Sequence, residues 1–286
     1  MYKAINYWVF GGFSGEKTPF EFIDFAAEQK LDGVELTVGD ALSIDITEEE
    51  CRRIAAYAAE KKIGLRTLAS GAYWNTSLGS SDEAERARAV EFGFKYLRLA
   101  SRIGAESILV IPGATRVAWE PDHPVYSYKT VWEQSQKSLR ELLPEAEKLG
   151  VNIALENVWS RFLLSPMEWK FYLDSFDSDR IGMYFDVGNC CIYARPQDYV
   201  EILGSRIKAI HIKNFTETDC LGGLHGFGDD ILSGEVDFKA LKSALEAVNY
   251  QGPLTVEMIP FCRLPDLVLP DQALAEASAR KLRSIL

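Results

Sequence analysis

The feature that most constrains this chain is an alternation. Short apolar, strand-like runs take turns with longer helix-like runs from one end of the sequence to the other. That pattern is the signature of βα units building a parallel sheet. About eight pairs can be read. Strands are expected over Lys3 to Val9, Gly33 to Thr37, Gly64 to Ala69, Ser107 to Ile111, Asn152 to Glu156, Ile181 to Asp186, Ala209 to Ile212 and Leu254 to Met258. Several are almost wholly apolar, as strands covered on both faces should be.

The helices between them start on recognisable caps. Thr18-Pro19 precedes Phe20 to Lys30, Thr47 precedes Cys51 to Lys62, and Ser81-Asp82 precedes Glu83 to Ile103. Others run from Ser127 to Leu149, after Ser165-Pro166, after Arg195-Pro196, over Phe238 to Val248, and after Pro270. Gly33, Gly64, Gly104, Gly150 and Gly252 stand where a helix should end and the next strand begin. No Ser/Gly/Pro-rich linker, composition shift or short-period repeat divides the chain. With 286 residues and 47% hydrophobic content, the expectation is an α/β protein, one (β/α)8 barrel domain over residues 1–286. The longer connections, Gly71 to Ser80, Pro112 to Tyr126 and Asn214 to Glu235, then lie on the C-terminal face, where barrels of this kind build their sites.

Composition narrows the function. No apolar run reaches the roughly 18 residues of a membrane span, and Asn6, Gly11 and Gly12 interrupt the N-terminal stretch that a secretion signal would need. A cytoplasmic protein without membrane contact is expected. The cysteines, Cys51, Cys190, Cys191, Cys220 and Cys262, are odd in number and form no CxxC pair, which suits free thiols better than a structural zinc or disulfide framework. A formal charge of −11 argues against a nucleic-acid partner. The pattern does not fix an oligomeric state, and a homo-oligomer is compatible with it.

An acid or a histidine sits at or near the C-terminal end of each of the last four strands: Glu156 in "NIALEN", Asp186 in "YFDVGN", His211 in "HIKN" and Glu257 in "LTVEM". Neighbouring strand ends lie about 5 Å apart, so four inward side chains can converge on one point of the rim. Three carboxylates so placed in apolar surroundings would repel one another and suffer from lost hydration. One divalent cation relieves both costs. Three oxygens and one imidazole favour Mn²⁺, with Mg²⁺, Co²⁺ or Zn²⁺ also compatible, and they leave coordination positions for substrate oxygens.

The segments "ALENV", "YFDVGN", "HIKN" and "NYQGPLTVE", in that order, resemble the sugar isomerase/epimerase family of xylose-isomerase-like barrels, and "GVEL", "RLASRIGAESILVIPG" and "LSGEVDF" extend the resemblance over most of the chain. The resemblance implies that Glu156, Asp186, His211 and Glu257 bind the metal. It also implies that Glu156 and Glu257 form the catalytic acid/base pair of a sugar or sugar phosphate isomerase or epimerase. A metal that chelates a carbonyl and its neighbouring hydroxyl acidifies the adjacent C–H and stabilises the resulting enediolate. One glutamate then takes the proton and the other returns it. Where several epimerases of unphosphorylated sugars carry His, this chain has Asn189; "HIKD" is replaced by Asn214; and no Arg occurs between His211 and Glu235. The "DVGN" form resembles branches acting on sugar phosphates or inositol-derived ketones, which implies that Asn189 and Lys213 touch substrate oxygens or orient the ligands.

Further positions fall near the expected pocket. Trp8, Trp74 and Trp119 fall at or beyond strand ends and could wall a sugar site, Trp8 being preferred. Glu35 could bind substrate or pair with Lys3 or Arg66; His123 and His225 suit solvated loops. A dehydratase of a cyclic polyol ketone such as an inosose is the main alternative, because the same proton removal can expel a β-hydroxyl. An endonuclease-type phosphodiesterase is disfavoured by the three histidines and the acidic charge, and a non-catalytic metal protein by the paired glutamates.

Overall fold

In a computed structural model, residues 1–117, 122–217, 226–259 and 271–285 are described. Eight parallel strands close into a barrel in chain order: β1 Tyr2–Asn6, β2 Gly33–Thr37, β3 Gly64–Ala69, β4 Ser107–Val110, β5 Asn152–Glu156, β6 Ile181–Asp186, β7 Ile207–Ile212 and β8 Pro253–Val256. Closure comes from β8 pairing with β1, with Lys3 opposite Leu254 and Ile5 opposite Val256. No sheet edge is left open among these strands. The helices are α1 Tyr7–Gly11, α2 Pro19–Glu28, α3 Glu48–Lys61, α4 Glu83–Ile103, α5 Tyr128–Leu149, α6 Pro166–Asp174, α7 Pro196–Leu203, α8 Phe238–Ala247 and α9 Gln272–Ile285. α2 to α9 follow β1 to β8 in turn. None of the described helices is long and apolar enough to cross a membrane.

The caps form where the sequence places them. Thr18, Thr47 and Ser165 each accept from the backbone three residues on while Glu21, Glu50 and Glu168 reach back, giving reciprocal capping boxes. Asp82 and Ser127 cap the two longest helices. Gly104 and Gly150 end those helices in the left-handed conformation.

The structure corrects one local expectation and refines another. The first strand stops at Asn6 rather than Val9, because the Asn6 side chain accepts from the Trp8 N–H at 2.7 Å and starts the short helix α1. This lifts Trp8 off the sheet and onto the rim. Gly33, Gly64 and Gly252 stand at helix-to-strand junctions as expected, but the left-handed conformation there is taken by Lys30 (φ 54°), Lys62 (φ 60°) and Asn249 (φ 53°). Gly33 and Gly64 instead begin strands beneath the Tyr2 ring, where a Cβ on Gly33 would lie 1.7 Å from the Tyr2 hydroxyl and 2.6 Å from the Gly64 carbonyl oxygen. Only hydrogen fits there. Gly33→Ala should therefore cost about 1–3 kcal/mol through overpacking at the barrel floor. Urea unfolding measures the cost, and an unchanged midpoint would mean that the ring and strand move aside freely.

The cysteine reading holds for the described positions: Cys51 and Cys190 are buried free thiols and Cys191 is half-buried. Cys220, Cys262, Trp119 and His225 lie outside the described residues.

Candidate metal centre

Strand direction brings the four chain-distant side chains together. Glu156 and Asp186 are the last residues of β5 and β6, His211 is the penultimate residue of β7, and Glu257 follows β8, its N–H still bonded to the Ile212 carbonyl at 3.0 Å. One ligand atom from each lies within 4.8 Å of the other three. Asp186 and His211 are fully buried, whereas Glu156 and Glu257 keep 7% and 4% of their surface and line a cavity of about 570 Å³. Two residues thus form the floor and two face whatever enters.

The electrostatics are those of a cluster in need of positive charge. Burial, reinforced by Glu257 and Asp186 and opposed by a bond from His211, pushes the Glu156 carboxyl up to about 7. Burial also raises Asp186, with Lys213 easing the shift. The imidazole of His211 loses by burial, but Glu257 and Glu35 more than compensate and hold its proton well above the usual histidine range. His211 Nδ1 lies 3.0 Å from Glu156, 3.5 Å from Glu257 and 4.0 Å from Asp186, and this one atom faces all three carboxylates. Asp186 Oδ2 is buried and receives no aligned hydrogen bond, although the Lys213 ammonium lies 3.0 Å away.

These observations fit a divalent cation. An orphaned carboxylate oxygen, two further carboxylates and an imidazole nitrogen aimed at one point match the hard-to-borderline donor set of Mn²⁺ or its neighbours. Donors about 2.1 Å from a metal stand at most about 4.2 Å apart, so the observed span closes with small side-chain rotations.

A second layer fixes the floor. Glu35 does not pair with Lys3 or Arg66, as one sequence reading allowed. It is fully buried behind His211, accepting from its Nε2 at 2.7 Å, from Asn6 Nδ2 at 2.7 Å and from the Tyr184 hydroxyl. It is not among the residues lining the cavity. With Nε2 committed as a donor, Nδ1 is the nitrogen left for a ligand bond. Asp186 is held similarly: its Oδ1 accepts from the Gly188 and Asn189 N–H groups at 2.9 and 2.8 Å, and Asn157 bridges to its backbone at 2.7 and 2.8 Å. Asn189 Nδ2 donates to the Asn157 carbonyl at 2.8 Å. Lys213 reaches Glu257 Oε2 at 2.6 Å. Asn189 and Lys213 thus brace members of the cluster and also line the cavity, and Trp8 and Trp74 join its wall. His123 bonds the neighbouring Pro124 carbonyl in its loop and is not among the residues lining the cavity.

Sequence reasoning missed Asn6, Asn157, Tyr184, Trp159, Phe227 and Asp40. Tyr184 was findable, since it stands two residues before Asp186 and so shares its face of β6.

The profile of the xylose isomerase-like TIM barrel matches residues 23–285. The chain belongs to that family. A curated relative, the putative L-ribulose-5-phosphate 3-epimerase SgbU of Escherichia coli K12, is 28% identical over 230 residues, covering 76% of this chain and 77% of that protein. Among solved structures, D-psicose 3-epimerase of Clostridium cellulolyticum H10 with D-tagatose superposes with a TM-score of 0.78 at 19% identity, covering 100% of this chain and 99% of that one. IolI with a bound zinc atom superposes with a TM-score of 0.73 at 16% identity, covering 100% and 95%. At such identities these structural matches establish the fold alone.

Glu35→Gln tests the second layer of the family fold in this chain. The amide cannot match a carboxylate as acceptor for the His211 N–H, and divalent metal affinity should fall about 10–100-fold. Titration calorimetry reads this directly; unaltered affinity would reduce Glu35 to a packing residue.

Proposed function

We propose that the protein is a metal-dependent isomerase or epimerase of a small sugar, with Mn²⁺ the favoured ion and Glu156 and Glu257 its acid/base pair. The observation that carries this reading is the placing of both glutamates in one cavity wall around a four-residue ligand cluster. When bound, the cation supplies Lewis-acid polarisation of a substrate carbonyl and its neighbouring hydroxyl. The chain supplies the proton traffic.

Glu156 is contacted through Oε1 and Glu257 through Oε2, which leaves Oε2 of the former and Oε1 of the latter without a partner among the described residues. A carboxylate tied through one oxygen keeps the other for proton transfer. Two of them, on separate strands β5 and beyond β8, can serve opposite faces of a substrate lying between, one accepting a proton from carbon and the other returning one. Lys213 holds Glu257 in place and Asn189 braces Asp186, so neither carboxylate has to reorganise during the step. The apolar walls limit water at the reacting carbon. The 3-epimerase named among the curated relatives supports this chemistry.

The test is exchange. Metal-loaded protein incubated with ketoses in ²H₂O should incorporate one deuterium beside the carbonyl and yield a product that in H₂O keeps the substrate's mass. Loss of water from the product, or no incorporation from a broad ketose panel, would contradict the proposal.

A further inference from the structure

The charge layout of the cavity carries the functional reading further, to the class of sugar. At its deep end stand three carboxylates, Glu156, Asp186 and Glu257, and one ammonium, Lys213, which is ion-paired to Asp186 and Glu257 at 3.0 and 2.6 Å. A divalent cation with a neutral His211 brings that end to zero formal charge. Among the described residues no Lys or Arg other than Lys213 lines the cavity.

The next ionisable group along the wall is an acid. Asp40, just beyond β2, is half-buried and lines the cavity, and its Oδ2 accepts from the Trp8 indole N–H at 2.7 Å. Trp8 in turn packs on Phe13, with ring centroids 5.6 Å apart, so the indole that fixes Asp40 is itself fixed. Asp40 has no ion-pair partner among the described residues, and besides Trp8 only the Thr37 hydroxyl helps to hold its carboxylate. Burial raises the Asp40 carboxyl above its usual value, with the bonds from Trp8 and Thr37 working the other way. The remaining wall is largely aromatic and aliphatic, with Trp74, Trp159, Phe227 and Ile259 among its members.

A phosphate dianion needs a cluster of cationic or N–H donors to replace its water. Here, among the described residues, it would meet aromatic faces and a carboxylate with no cation beside it. A sugar hydroxyl suits the same place, because an ionised carboxylate only accepts hydrogen bonds and a hydroxyl donates one, while the apolar C–H face of the sugar packs on the rings.

We propose that the substrate is an uncharged ketose without phosphate, that a hydroxyl remote from its carbonyl donates to Asp40, and that Asp40 is the residue that selects against phosphorylated sugars. This rests on the epimerase reading, and deepens it. It also separates the protein from the phosphate substrate named for its curated relative.

The experiment pairs free and phosphorylated forms of the same sugar, L-ribulose with L-ribulose 5-phosphate and D-fructose with D-fructose 6-phosphate, on the Mn²⁺-loaded full chain. Equilibrium affinity is measured by calorimetry and, separately, deuterium exchange by NMR. The free sugar of at least one pair should bind at least about tenfold more tightly than its phosphate, the worth of one hydrogen bond to a charged group. Asp40→Asn should weaken the free sugar about tenfold, in KM more than in kcat, and improve the phosphate relative to it. Tighter binding of the phosphate esters, a free-to-phosphate ratio that Asp40→Asn leaves unchanged, or no binding of either class overturns the proposal. Binding in the expected order without exchange would sustain it while counting against the epimerase chemistry.

Discussion

Glu257→Gln and Glu156→Gln are each expected to lower turnover by at least about 10³ while the barrel stays folded. A positioned acid or base contributes about 10² to 10⁴ in rate, and each change also takes one negative charge from the metal cluster. Glutamine keeps the volume and one oxygen but can neither take nor return the proton. Steady-state kinetics at saturating Mn²⁺ separates the two losses, because a variant limited only by metal occupancy recovers as the ion is raised. Near-normal turnover in either variant, with circular dichroism unchanged, would defeat the two-glutamate scheme.

Removal of divalent ions should abolish turnover, and Mn²⁺ should restore it. The same addition should stabilise the fold. An ion bound only by the native state adds about 2.7 kcal/mol at a hundredfold excess over its Kd, enough to raise the unfolding temperature by several degrees. The pH dependence has a definite sign. Without the ion His211 keeps its proton well above the usual histidine range, held by Glu257 and Glu35 against the cost of burial. A ligand imidazole must be neutral at Nδ1, so binding releases that proton and the apparent affinity rises with pH. Calorimetry in two buffers of different ionisation enthalpy measures the released proton. Full activity in chelator, or binding without proton release, would argue against His211 as a ligand.

Much of this architecture was legible in the sequence because the signals are local or periodic. The apolar runs around Glu156, Asp186, His211 and Glu257 leave one ionisable group at the same end of four successive strands, and burial makes a lone charge there expensive. What the sequence hides is pairing at a distance. Glu35 meets His211 across 176 residues, a contact that exists only because the barrel closes and its interior is shared. The strands expected on either side of it, by contrast, suggested Lys3 or Arg66 as partners. Asp40 sits in a connection, where no periodicity marks a side chain as inward or outward. Trp8 was placed near the site but on the wrong element, since the cap made by Asn6 is one hydrogen bond that outweighs a run of strand-favouring residues. Lys30, Lys62 and Asn249 adopt left-handed conformations close to glycines that the strands below require for a different reason, the room taken by the Tyr2 and Tyr250 rings.

Four rim residues are expected to share one cation. Anomalous diffraction at the manganese edge, on crystals grown with Mn²⁺, tests it most directly. One peak is expected, about 2.0–2.3 Å from a carboxylate oxygen of Glu156, Asp186 and Glu257 and from Nδ1 of His211. A peak bound elsewhere, or a cluster that excludes the ion at saturating concentration with Lys213 filling its place between Asp186 and Glu257, would contradict the account.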